Sequence, residues 1–172
     1  YSNETWVGFC QKRRFWLQKK EDINLKINGN IKDKFLYKIP EECKNFDAII
    51  CEPIGVSGVK FMKILKHGFK NLLKDPSIIF DKKKQTIKLH FDMSHGYGNI
   101  DLAIDVMHSK DKEDFKKFVY NSISYNPHIM FISKPSIANR WFSDLFSWLD
   151  SCERIFGFKE LKGYNKRIYA YL

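Results

Sequence analysis

The sequence predicts an α/β domain, and three observations carry that expectation. Short runs rich in β-branched and aromatic residues at 5–10, 46–51 and 128–132 have the length and composition of buried strands. Stretches with apolar residues three and four apart lie between and after them. The interleaving of the two element types is the pattern of an α/β architecture. Only three or four strands can be counted, so the domain reads as incomplete.

Each element follows from local pattern. The strand at 5–10 runs into a basic and aromatic cluster, Gln11-Lys12-Arg13-Arg14-Phe15-Trp16. Residues 18–44 are polar and basic, with an Asn28-Gly29-Asn30 turn signal, and read as a peripheral excursion. The strand at 46–51 stops at Glu52-Pro53, and Gly55 and Gly58 mark a loop. A helix is predicted over 59–74. Val59, Met62, Leu65, Phe69 and Leu72 form its core-facing stripe, and Lys60, Lys63, His67, Lys70 and Lys74 form another. Residues 87–94 alternate with period two, which predicts a strand. Ile87, Leu89, Phe91 and Met93 would face a core, with Lys88, His90, Asp92 and Ser94 on the other side.

His95-Gly96-Tyr97-Gly98 makes a turn, and Asn99 is the expected N-cap of a helix built on Ile100, Ala103, Ile104 and Met107. Phe115, Phe118 and Val119 define another helix. After the strand at 128–132, Pro135 and Ser136 open the longest helix, with Ile137, Trp141, Leu145, Trp148 and Cys152 inward. Residues 166–172 read as a helix cut without a cap. No repeat or linker interrupts the chain, so residues 1–172 read as a single domain. It opens at Tyr1 and shows no signal-peptide pattern, so it reads as a fragment of a longer soluble protein.

Composition narrows the function classes. The 172 residues carry 30 Lys+Arg against 20 Asp+Glu, a formal net charge of +10. That balance implies an anionic partner: nucleic acid, anionic lipid or a phosphorylated small molecule. Charged residues at 29% and a mean hydropathy of -0.42 exclude an integral membrane protein. Aromatic residues at 16% exclude intrinsic disorder. Cys10, Cys43, Cys51 and Cys152 are scattered without a C-x-x-C pair, which argues against a zinc finger or a disulfide framework. A reducing, cytoplasmic setting fits.

Three places could carry chemistry. Strand alternation would put His90 and Asp92 on one face, with His95 kept near by the turn. Asp92 could then act as a general base oriented by an imidazole, or the three could ligate a metal. Gly96 and Gly98 would let a backbone approach a ligand. Arg13 and Arg14, flanked by Phe15 and Trp16, suit phosphate recognition with aromatic stacking. Gly55 and Gly58 ahead of the basic helix suit an anion, although they form neither a G-x-G-x-x-G nor a P-loop. The chain contains no D-x-D, G-x-S-x-G or H-E-x-x-H.

The run Trp6-Val7-Gly8-Phe9-Cys10-Gln11-Lys12-Arg13-Arg14-Phe15-Trp16 resembles the G-L-C-H-Y-R-R-Y-F signature of the bacterial family DUF4422. Asn126-Pro127-His128-Ile129-Met130-Phe131-Ile132 is similar to that family's N-x-H-N-M-F-I. Trp148-Leu149, Cys152-Glu153, Ile155-Phe156-Gly157-Phe158 and 167–172 resemble its C-terminal helical block. Members occur in capsular and lipopolysaccharide gene clusters and are regarded as glycosyltransferases. Gln11-Lys12 departs from the family's His-Tyr, and the family's N-terminal portion and its end beyond residue 172 lie outside this sequence.

The resemblance implies a GT-A-like, Rossmann-like nucleotide-sugar transferase domain, present here in part. Its expected activity is sugar transfer from a nucleotide-sugar donor to a surface-glycan acceptor. The catalytic candidates are Asp92, His90 and His95. The substrate-binding candidates are Arg13, Arg14, Gln11, Tyr97 and His128, with the two arginines on the donor diphosphate. No cofactor is required by this reading, and a divalent metal is left open. Nucleic acid is not the expected partner, and the helix over 59–74 is expected to rest on an anionic membrane, at the inner face, through its lysines. Two other readings use the same residues. One is a metal-dependent phosphoesterase built on His90, Asp92 and His95, and the other is a basic nucleic-acid-binding module.

Overall fold

The structure, a computed structural model, describes residues 5–12, 14–18, 31–157, 163–170 and 172. Its fold is mixed α/β, with small sheets and many helices. In chain order the strands are β1 (Val7–Gly8), β2 (Ala48–Ile50), β3 (Ile54–Gly55), β4 (Ser124–Tyr125) and β5 (Phe131–Ser133). The α-helices are α1 (Phe61–His67), α2 (Phe69–Lys74), α3 (Ile87–His95), α4 (Asn99–Asp105), α5 (Ser109–Asn121) and α6 (Pro135–Phe156). These residues group into two compact units. One takes the chain up to residue 52 and then 128–141, and the other takes 53–127 and the chain from 142 onward.

The first unit is organised by β5, which lies between β1 and β2 and pairs antiparallel with both. Val7 and Ala48 lie on either side of Ser133, and Gly8 and Ile49 on either side of Ile132. Ser133 and Ile132 are buried, as is Met130 just before them. Phe131 packs against Phe9 at 4.8 Å and edge-on against Trp141 at 4.9 Å. The predicted strand at 5–10 is reduced to Val7–Gly8, which pair with Ser133 and Ile132. The strand expected over 128–132 begins later, at Phe131.

The second unit holds a short antiparallel pair, β3 with β4, and the helices. Here the largest correction falls. Residues 87–94 form not a strand but α3. The period-two pattern arises because this helix is enclosed by two cores. Ile87 and Phe91 pack with Ile100, Ile104, Val119 and Ile168, whereas Leu89 and Met93 pack with Ile64 and Ile78. Two i,i+4 pairs offset by two residues imitate the alternation of a strand.

The helix expected over 59–74 is also two helices, broken at Gly68. That glycine is buried against Met93, whose Cγ would lie 3.2 Å from an added Cβ. The stripe changes accordingly. Ile64 is fully buried, while Met62 and Phe69, expected inside, are 67% and 52% exposed. Leu65 is exposed as well, and of the five expected residues Val59 and Leu72 join the Ile64 core, both half-buried.

Between α3 and α4 the chain turns through Gly96 (φ +100°) and Gly98 (φ +82°), a region that favours glycine. Gly98, not Asn99, occupies the N-cap position of α4. The Asn99 side chain instead donates to the carbonyl of His95 at 2.6 Å, closing the end of α3. Ile100, Ala103 and Ile104 are buried as expected, and so are Val119, Trp148 and Cys152. Trp148 Nε1 donates to the Ala103 carbonyl at 2.6 Å. Trp141 is more exposed than predicted, at 39%. The terminal segment is a 3₁₀ helix, Gly163–Ala170, which buries Ile168.

Gln85 was not singled out by pattern, yet it braces the second unit. Its buried Oε1 accepts from the backbone N–H groups of Gly58 and Val59 at 2.7 and 2.9 Å, and its Nε2 donates to Ile78 O at 2.9 Å. Among the described residues no helix is long and apolar enough to cross a membrane. All four cysteines are free thiols.

Candidate functional site

In the first unit, the turn after β1 is closed by the Arg14 N–H donating to the Gln11 carbonyl at 3.0 Å. This aims the Arg14 guanidinium at His128, where Nη1 and Nε2 lie 2.7 Å apart. Arginine can only donate, so Nε2 of His128 is the acceptor. Gln11 is half-buried and enters through its backbone. Arg13 lies outside the described residues. Trp16 is fixed by an Nε1 bond to the Phe9 carbonyl at 3.2 Å, and Phe15 stacks on Phe35 at 4.6 Å while remaining 56% exposed. Burial pushes the Cys51 thiol up against the opposing pull of Arg14, so this cysteine is not an activated nucleophile.

In the second unit, α3 distributes His90, Asp92 and His95 in a way a strand would not. Residues 90 and 92 point to nearly opposite sides of a helix, whereas 92 and 95 are neighbours. The Asp92 side chain has no exposed surface. One oxygen faces Lys88 Nζ at 2.9 Å and the other accepts from Gly98 N–H at 3.1 Å. Lys88 also meets Asp101 at 3.0 Å. Burial works against its charge, yet Asp92 and Asp101 hold its pKa above the ordinary value. His90 lies beside Tyr125, with ring centres 6.3 Å apart. Burial and then Lys63 lower its pKa. His95 is buried against Phe91 and lowered to about 4, first by burial and then by His90 and Arg167. The expected catalytic face therefore resolves into an ion-paired carboxylate and two imidazoles held toward their neutral form.

Tyr97 does reach a cavity, of about 450 Å³, together with Lys66, Lys70, Asn71 and Asp92. The ammonium groups of Lys70, Lys74 and Lys88 lie 5.4, 5.3 and 5.5 Å from the centre of its ring. Pattern reading found the lysines and Tyr97 separately. The break at Gly68, which turns α2, left no signal that would have joined them. Among the described residues no three His, Cys, Asp or Glu side chains are gathered as a metal ion requires. The metal-ligating reading of His90, Asp92 and His95 thus loses the strand geometry on which it stood.

The whole chain, residues 1–172, matches one family model, described as Domain of unknown function (DUF4422). No curated protein and no solved structure matches it.

Proposed function

The chain belongs to the DUF4422 family, and from that premise we propose that it transfers a sugar from a nucleotide-sugar donor to a surface-glycan acceptor on a GT-A-like scaffold. One observation carries this reading. Arg14 and His128, 114 residues apart in sequence, meet at 2.7 Å, and they come from two of the motifs that carry the family resemblance. A guanidinium oriented by a neutral imidazole at the end of a strand suits a diphosphate, whose charge a sugar transferase must neutralise as the glycosidic bond breaks. Phe15, exposed beside it, offers a ring for stacking.

The proposal places Arg14, with Arg13, on the donor diphosphate and His128 as the group that positions Arg14. Asp92 has both carboxylate oxygens engaged, which favours a structural role over that of general base. Residues 59–74 remain the proposed contact with an anionic membrane, now with Met62 and Phe69 available beside the lysines. The deciding experiment is a thermal-shift and binding panel of nucleotides and nucleotide-sugars. A donor should raise Tm, and Arg14→Ala and His128→Ala should each weaken it about ten- to a hundredfold. A panel in which no nucleotide-sugar binds, or in which a folded Arg13→Ala/Arg14→Ala variant binds as the native chain does, overturns the reading.

A further inference from the structure

We propose that the cavity formed by the end of α1, α2, α3 and the turn at Gly96 and Tyr97 binds a phosphoryl anion, a phosphomonoester or diphosphate, independently of the donor contact assigned to Arg14. The charge arrangement leads to this. Lys70 and Lys74, one helical turn apart on α2, bring their ammonium groups to within 5.4 and 5.3 Å of the Tyr97 ring centre. Lys88 adds a third at 5.5 Å; Lys70 and Lys66 line the cavity itself, and Lys74 and Lys88 stand beside it at the Tyr97 ring. Like charges converging on one ring repel one another, and the ring quadrupole offsets little of that in an open site.

The cavity wall carries one carboxylate, Asp92, against Lys66 and Lys70. Asp92, the carboxylate of the cavity wall, is paired with Lys88, and so is Asp101. Lys70 and Lys74 make no ion pair among the described residues. The cavity is therefore left with a surplus of positive charge.

A second observation is independent of charge. Asn71, on the same wall, has its Nδ2 buried without an acceptor among the described residues. A buried amide N–H without a partner is destabilising, so such donors are found where something accepts from them. A phosphoryl oxygen held by the ammonium groups relieves the repulsion, and a turn of the Asn71 side chain, whose Nδ2 is withdrawn from the cavity surface, lets it satisfy the donor as well. Lysine suits this role as a set of flexible point charges around a dianion. The phosphoryl group could belong to a soluble phosphate ester or to a phospholipid headgroup, since exposed Phe69 lies on the same rim.

The test measures pyrophosphate binding at low salt by calorimetry, in the native chain and in Arg14→Ala, so that the two sites separate. Vesicles containing phosphatidic acid, compared with phosphatidylglycerol, form a second arm. The variants are Lys70→Gln/Lys74→Gln and the charge-neutral Asn71→Ala, with Lys110→Gln/Lys116→Gln on α5 as a control of equal charge change. The expected result is binding that survives Arg14→Ala and falls at least about tenfold in both cavity variants, but not in the control. Loss confined to pyrophosphate identifies a soluble ester. Loss confined to phosphatidic acid, with phosphatidylglycerol unaffected by Asn71→Ala, identifies a headgroup. Absence of binding in both arms, or binding that the cavity variants leave unchanged, overturns the proposal.

Discussion

Lys88 and Asp92, one turn apart on α3, meet at 2.9 Å with the Asp92 side chain wholly withdrawn from solvent. The pair holds the helix to the turn that follows it, because Asp92 also accepts from the Gly98 N–H. Removing one partner of a buried pair costs more than the pair itself contributes, since the other charge is left behind. Asp92→Asn should therefore lower stability by about 2 kcal/mol, less than for an isolated pair because Lys88 keeps Asp101. Urea denaturation checks this. An unchanged midpoint with turnover reduced about 10²–10⁴-fold would instead restore Asp92 as a base.

Gln85 offers a sharper case. Gln85→Leu preserves bulk but strands the Gly58 and Val59 N–H groups and the Ile78 carbonyl. Each stranded buried group costs about 1–3 kcal/mol, part of which water recovers. A net loss of about 2–4 kcal/mol is expected, with Tm falling by about 5–15 °C. A thermal melt within about 2 °C of the native chain would show that this brace contributes nothing.

His95 makes the second unit sensitive to acid. Its folded pKa, about 4, lies below the ordinary 6.5, so the unfolded chain binds the extra proton first. Stability is then fully present above about pH 6.5, is lost as pH falls toward 4, and levels off below that. His90 is shifted in the same direction and adds to the slope. In His95→Gln the urea midpoint should vary less over this window. Equal slopes for the two proteins would remove His95 as the source.

Asp75 titrates in a different window. The hydrogen bonds from Lys84 and Ser77 lower it to about 2. Its contribution is present above about pH 4 and disappears as pH falls through 2, because the folded chain takes the proton last. Lys84→Met should flatten the stability profile below pH 4 and leave the His95 window untouched. A profile altered only above pH 5 would contradict this assignment.

The membrane contact predicted for 59–74 rests on charge and on exposed side chains together. Co-sedimentation with anionic vesicles should fall steeply with salt and be lost in a Lys60/Lys63/Lys70/Lys74→Glu variant. Equal sedimentation of both proteins, or of neither at low salt, removes the contact.

How much of this was legible depended on what local pattern encodes. The later part of α6 was readable because one stripe through Leu145, Trp148 and Cys152 faces one core, while Trp141 packs on Phe131 in the first unit. Helix α3 was not, because two cores claim Phe91 and Met93 from different sides. Period alone cannot distinguish a strand from a helix packed on two faces. The candidate site suffered from the same limit. Arg14 and His128 were each marked by motif, and their meeting is tertiary. His90 and Asp92 were joined by an alternation the chain does not adopt, while Asn71 carried no pattern at all. Its significance lies in the lack of an acceptor among the described residues, which only packing reveals.

The sheet order of the first unit bears on how this protein is made. β1 and β2 are both early in the chain, yet neither pairs with the other; each waits for β5. Until the ribosome has delivered β5, the edges of β1 and β2 that pair with it stay unpaired. Closing so long a loop makes their pairing a late event, slow compared with the local helix contacts of the second unit. Nascent chains halted before residue 131 should therefore keep their N-terminal segment sensitive to protease, and a chaperone that shields strand edges would act during that interval.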